Sequence, residues 1–165
     1  MPRLILLMGL LLLGACQVTR VPPGGFSEAQ AEVLRENGFV PAGEDWALGL
    51  DNRVLFATDE SRLQPAQAAM IAQMTRALSA VGIHGARVAG HTDSTGSVQH
   101  NDRLSQQRAD AVRAAMVAAG MEAAAVRAWG EGARAPVESN GDAEGRAQNR
   151  RVVVTVSPAD AMPLD

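Results

Sequence analysis

The chain has one cysteine, no tyrosine and no lysine, and each absence excludes something. With Cys16 alone, no intramolecular disulfide can form, so the fold must hold by its core. Aromatic residues make up 3%, which leaves no material for base-stacking platforms. All 15 basic residues are arginine and the net charge is −3, so there is no basic footprint for nucleic acid. Long apolar runs are missing too. The apolar stretch Leu4 to Leu13 falls short of the ~20 residues that span a bilayer. Preceded by Arg3 and followed by Gly14 and Ala15, it reads as the h-region of a secretory signal, residues 1–15.

The sole cysteine follows at once. Leu13-Gly14-Ala15-Cys16 resembles the lipobox of bacterial lipoproteins, which implies lipidation at Cys16. Gln17 stands where inner-membrane lipoproteins of enterobacteria carry aspartate, so the resemblance points to the outer membrane. Residues 16–25 then read as the lipidated cysteine and a Pro/Gly-rich tether, "QVTRVPPGG". Nine extended residues reach at most ~30 Å, so the folded part would sit close to the membrane.

Residues 26–45 read as a short helix and an extended lead-in. Ser27 and Gln30 have capping-box spacing and Gly38 suits a helix stop. Trp46, Leu48 and Leu50 alternate as in a half-buried strand, and Val54 to Phe56 is expected to pair back as a hairpin. Pro65 suits a helix start, and Met70, Ile71, Met74, Leu78 and Val81 recur at helical spacing up to Gly82. A strand about Ala86 to His91, a helix about Asn101 to Ala119, a strand Val126 to Trp129 and the β-branched run Arg151 to Val156 follow. The order β-β-α-β-α-β predicts an α/β fold, a two-layer (α+β) sandwich of two main helices on a small mixed sheet. The domain is expected over residues 46–157, with a loose tail over 158–165.

The chemistry centres on "GHTDSTG", Gly90 to Gly96. Three histidines, His84, His91 and His100, carry no HExxH or paired-cysteine pattern, so no metal is expected. "GEGARA" fits a dinucleotide loop by letter, but Pro136 follows where a helix should open, and no cofactor is expected. No G-x-S-x-G elbow is present. Asn101, Ser105 and Arg108 share one helical face, which can turn toward Asp93. An acid facing an arginine can form a bridge with it. Alternatively the two stand apart and receive a zwitterion, ammonium on the carboxylate and carboxylate on the guanidinium fork. The residues alone leave both readings open.

The stretches "LFATDESRL", "VAGHTDSTG", "NDRLSQQRADAV", "WGEGARAPVESN" and "GRAQNRRV", in this order, resemble the OmpA C-terminal-like domain, over about Leu48 to Val156. The resemblance implies a non-enzymatic module that binds peptidoglycan through the free diaminopimelate end of stem peptides. By motif position it assigns Asp93, Arg108 and Asn101 to the site, with Asp59 and Arg150 lining the pocket. Thr58 stands where the family commonly has a second aromatic residue, and His100 where it has tyrosine. "HTDSTG" also departs from the "HADERG" of the peptidoglycan-associated lipoprotein, which favours the broader group of OmpA-like lipoproteins. The implied whole is an outer-membrane lipoprotein, its domain in the periplasm, that ties the membrane to the cell wall. The rival readings are an adaptor of the Tol system, acting through a periplasmic protein partner, and a metal-dependent cell-wall enzyme.

Overall fold

Ser27 and Gln30 close the capping box that their spacing announces. The Ser27 hydroxyl accepts from the Gln30 N–H at 3.2 Å and the Gln30 side chain accepts from the Ser27 N–H at 2.9 Å. Helix α1, Glu28–Glu36, starts there and ends before Gly38, whose φ of 82° suits glycine. In this computed structural model residues 25–56 and 60–161 are described; the expected signal segment, Cys16, most of the expected tether, Thr58, Asp59 and the end of the expected tail, residues 162–165, lie outside the described residues.

Strands β1, Val40–Ala42, and β2, Asp45–Asp51, form a hairpin turned at Gly43. The expected return strand at Val54 to Phe56 is not there. The chain instead enters a short helix, α2, Asn52–Leu55, because the Asp51 carboxylate accepts from the Arg53 N–H at 2.8 Å and caps it. The run Val54-Leu55-Phe56 has strand-like composition, yet its burial does not alternate: Val54 is exposed, and Leu55 and Phe56 are both buried. The other sheet neighbour of β2 is the distant strand β5, Arg151–Val156, antiparallel, with Trp46 opposite Val156 and Asp51 opposite Arg151.

Helix α3, Pro65–Ala80, has proline in its first turn and buries Ile71, Met74 and Leu78. Met70, the first of the expected stripe, lies on the surface. Strand β3, Ala86–His91, follows, and then helix α4, Val98–Ala118. This helix begins three residues ahead of Asn101 because the Ser97 hydroxyl caps it, accepting from the His100 N–H at 3.2 Å. Strand β4, Val126–Gly132, leads to a helix that the sequence pattern hides, α5, Ala143–Asn149, and this runs directly into β5.

The sheet order is β1-β2-β5-β3-β4. β3 pairs parallel to β4 and antiparallel to β5, with α4 as the crossover between the parallel strands. Burial alternates cleanly along β5, with Val152, Val154 and Val156 fully inside. This is the period-2 signature of a sheet covered on one face. Val88 joins them in one core with Leu78, Val112 and Met116. The result is the two-layer mixed sandwich that the element order implies.

Two flanking segments make contacts with the domain. Residues 26–45, read as a lead-in, contribute Phe26, Ala31, Leu34 and Phe39 to the same core, and β1 to the sheet. The expected loose tail begins with a 3-10 turn, Pro158–Ala161. There Ser157 donates to Asp160 from both its N–H and its hydroxyl, at 2.6 and 2.8 Å, and His84 N–H donates to the Asp160 carbonyl.

Candidate binding site

The site is built where α4 lies directly on β3 and β4. Glycines make that contact. A Cβ on Gly90 would sit 2.1 Å from the Ser105 carbonyl oxygen, and one on Gly130 would sit 2.5 Å from the Gln106 nitrogen. Gly132 donates its N–H to the Ser105 hydroxyl at 2.9 Å. The register of β3 against β4 shifts between Gly90 and His91. There the Asn52 side chain donates to the His91 carbonyl at 3.2 Å, and Thr92 N–H donates to the Gly132 carbonyl. The chain thus leaves the sheet in a fixed direction and presents Asp93.

Asp93 is 8% exposed and Arg108 5% exposed, so both charges are withdrawn from bulk water. They line one pocket of about 850 Å³, together with Asn101, Arg150, Phe56 and Thr92 among others. The ion pair that the described residues form at Asp93 is with Arg150, Nη1 to Oδ2 at 2.6 Å. Its other oxygen accepts from the Thr95 N–H at 2.8 Å. Burial alone would push the Asp93 carboxyl up. The hydrogen bond from Arg150 and those from Thr95, backbone and side chain, outweigh it and hold the group below its ordinary 3.8.

Arg108 is fixed through its stem and plane. Its Nε donates to the Glu60 carbonyl at 3.0 Å, and its guanidinium lies 5.3 Å from the centroid of the Phe56 ring. Asn101 acts as a brace: its amide donates to the carbonyls of Asp93 at 3.2 Å and Thr95 at 3.0 Å, which holds the acidic loop against α4. Gly96, with φ of 91°, makes the reversal inside that loop. Asn149 performs the same service for residues 137–140, bonding Val137, Glu138 and Asn140, and Asn140 in turn accepts from Ser94 N–H.

Four of the five site residues expected from the motifs, Asp93, Asn101, Arg108 and Arg150, therefore line one pocket; the fifth, Asp59, lies outside the described residues. The pocket also contains residues not foreseen: Asn52 and Arg53 from α2, and Arg146 from α5. Both elements were illegible as helices, so their side chains had no expected direction.

Among the described residues, no group of three His, Cys, Asp or Glu side chains is placed to hold a metal. His91 is buried, with no hydrogen bond to Nδ1 among the described residues. Burial, helped by the nearby Arg151 charge and opposed by Glu131, pushes its imidazole down to about 4 from 6.5. The folded protein thus holds His91 neutral at pH values where the unfolded chain binds a proton. Stability is fully present above about 6.5 and is lost as pH falls toward 4, at up to about 1.4 kcal/mol per pH unit for one proton. Melting curves in steps from pH 7 to 4.5 should show this slope, and His91→Gln should flatten it. An unchanged slope in the mutant would assign the loss to other groups. The Asp93 contribution, from a depressed carboxyl, disappears only at lower pH, below about 4.

Among the described residues, no helix is long and apolar enough to cross a membrane. The family model described as the OmpA family matches residues 55–150. The outer-membrane lipoprotein YfiB of Pseudomonas aeruginosa is 40% identical over 148 residues, covering 90% of this chain and 87% of its own. The putative lipoprotein YfiB of Escherichia coli is 36% identical, covering 89% and 91%. Among solved structures, the cell wall anchor of the T6SS from Pseudomonas aeruginosa superposes with a TM-score of 0.68 at 28% identity, covering 78% of this chain and 96% of that one. The peptidoglycan-associated lipoprotein from Burkholderia pseudomallei does so with a TM-score of 0.54 at 32% identity, covering 61% and 86%. A family match that takes in Asp93, Asn101, Arg108 and Arg150, and a lipoprotein relative aligned over nearly its whole length, lead to one conclusion: the chain belongs to the OmpA family.

Proposed function

We propose that this protein grips peptidoglycan non-covalently by the free diaminopimelate end of uncrosslinked stem peptides. In this reading it is not an enzyme, and the lipid on Cys16 ties the grip to the outer membrane. The observation that carries the reading is the pairing of opposite charges in one partly enclosed pocket, Asp93 on the β3 loop and Arg108 on α4. The diaminopimelate head is a zwitterion. Its ammonium is received by Asp93 and its carboxylate by the Arg108 fork. An ionised carboxylate has about four lone-pair sites, so the bonds from Arg150 and Thr95 leave Asp93 with capacity for an ammonium. Arg150 keeps Asp93 ionised while the ligand is absent, and Asn101 keeps the loop in place. The names of the relatives, an outer-membrane lipoprotein, a cell wall anchor and a peptidoglycan-associated lipoprotein, support the same assignment.

Single-site affinity can be modest. Many anchored copies facing a repeating polymer gain through effective concentration. The direct test is co-sedimentation of the full chain with purified, protein-free sacculi, with free diaminopimelate as competitor. Binding that diaminopimelate displaces is the expected result. Sacculi that bind only when a periplasmic protein is added back would favour the adaptor reading.

The anchor has its own test. Wild-type protein expressed with labelled palmitate is expected to carry the label into the outer-membrane fraction. Cys16→Ser should be unlabelled and lost from that fraction. An unlabelled wild-type protein would end the lipoprotein reading.

A further inference from the structure

Resting on that reading of the pocket, we infer that Arg146 forms a second anion subsite, which takes another carboxylate of the same stem peptide. Size is the first reason. A cavity of about 850 Å³ suits a drug-sized ligand, well beyond one amino-acid head group. Charge is the second. The described lining includes Arg53, Arg108, Arg146 and Arg150 against one carboxylate, Asp93. Even a carboxylate at Asp59 would leave cations in surplus, and a zwitterion brings no net charge to offset them.

The surplus can be placed on one residue. Arg150 pairs with Asp93 at 2.6 Å and Arg53 pairs with Asp51 at 2.7 Å. Arg108 is assigned to the head group. Arg146 is half-buried, and its hydrogen bond runs from Nη1 to the neutral carbonyl of Asn140 at 2.9 Å. Among the described residues it has no carboxylate partner. It stands one helical turn before Arg150, so the two guanidiniums leave the chain on the same side and Arg146 lies beside the head-group site. A partly desolvated cation held by a carbonyl alone is relieved by an incoming anion, and the guanidinium fork matches a carboxylate. A stem peptide offers two such groups next to diaminopimelate: the α-carboxylate of the γ-linked glutamate before it, and the C-terminal carboxylate after it.

The experiment is calorimetric titration of the full chain in detergent with free diaminopimelate, with the stem tetrapeptide, and with its two monoamides, one at each carboxylate. One amide is expected to bind about tenfold more weakly than the free acid, the scale of one charge-assisted hydrogen bond. Which amide it is names the carboxylate. In Arg146→Gln the gap between acid and amide should close, and in Arg146→Lys part of it should return. A purely structural role for Arg146 would lower the melting temperature and leave the acid-to-amide ratio intact. The inference is overturned if neither amide binds more weakly to wild type, or if the ratio survives in folded Arg146→Gln. Failure of free diaminopimelate itself to bind would remove the pocket reading along with it.

Discussion

Gly90→Ala is expected to cost this protein both stability and its pocket. The new Cβ would lie 2.1 Å from the Ser105 carbonyl oxygen and 2.9 Å from its carbon. Both are backbone atoms of α4, so no side-chain rotation relieves the clash. Either the helix lifts off β3 or the strand bends away from it. Overpacking of this kind costs about 1–3 kcal/mol, and more when the backbone itself must move. The melting temperature should fall by several degrees, at about 2–4 °C per kcal/mol for a domain this large. The second loss is geometric. Asn101, Ser105 and Arg108 all ride on α4, whereas Asp93 is carried by β3. A displacement of about one ångström between the two elements breaks the Gly132–Ser105 and Asn101–Asp93 bonds and moves Arg108 relative to the acid. Sacculus binding should therefore fall further than the loss of folded protein explains. Gly49→Ala is the control, since a Cβ there meets nothing within 4 Å and the residue lies in a strand. It should be neutral or slightly stabilising. Wild-type melting and binding in Gly90→Ala would show that α4 is not held by this contact.

The second large effect is on binding alone. Arg108→Ala and Arg108→Lys should each weaken sacculus binding by about 30-fold or more. Truncating one partner of a desolvated charge pair typically costs about 2–5 kcal/mol. Lysine fails because a point charge on a flexible stem cannot reproduce the planar fork, nor stack on Phe56. Asp93→Asn should match them in binding and differ in stability. Asp93 also pairs with Arg150 and accepts from Thr95, so its neutralisation leaves a guanidinium short of its partner inside the fold. The set is therefore read as a pair of measurements, melting temperature and binding, for each variant. Arg108→Lys is the most telling member: it keeps the charge and should keep most of the stability. A folded Arg108→Lys protein that sediments with sacculi at wild-type strength would rule out the zwitterion site.

The legible parts of this molecule are those whose causes are local. Helix α1 was readable because Ser27 and Gln30 reach each other across one turn, and β5 because Val152, Val154 and Val156 alternate in an uninterrupted β-branched run. Helix α3 announced itself through Pro65 and the spacing of Ile71, Met74 and Leu78. Asp93, Asn101, Arg108 and Arg150 could be named from motif positions that the resemblance supplies; the residues alone related Asp93 only to the face of α4, the helix that follows it in the chain. Helix α5 was invisible: seven residues, AEGRAQN, contain no apolar period, and its start depends on the Asp142 carboxylate accepting from Gly145 N–H. Helix α2 was hidden behind a strand-like run that a single capping aspartate overrules.

By itself, then, the sequence determined α1, the two main helices and the strands β2, β3, β4 and β5. Each of these rests on side chains a few residues apart. Only the tertiary structure decided that Arg150, 57 residues along the chain, is the partner of Asp93, that Arg146 enters the same pocket, and that Gly90 sets the distance between α4 and the sheet. Those facts depend on how separate elements pack, and a contact between distant residues leaves no periodic mark on either stretch of chain.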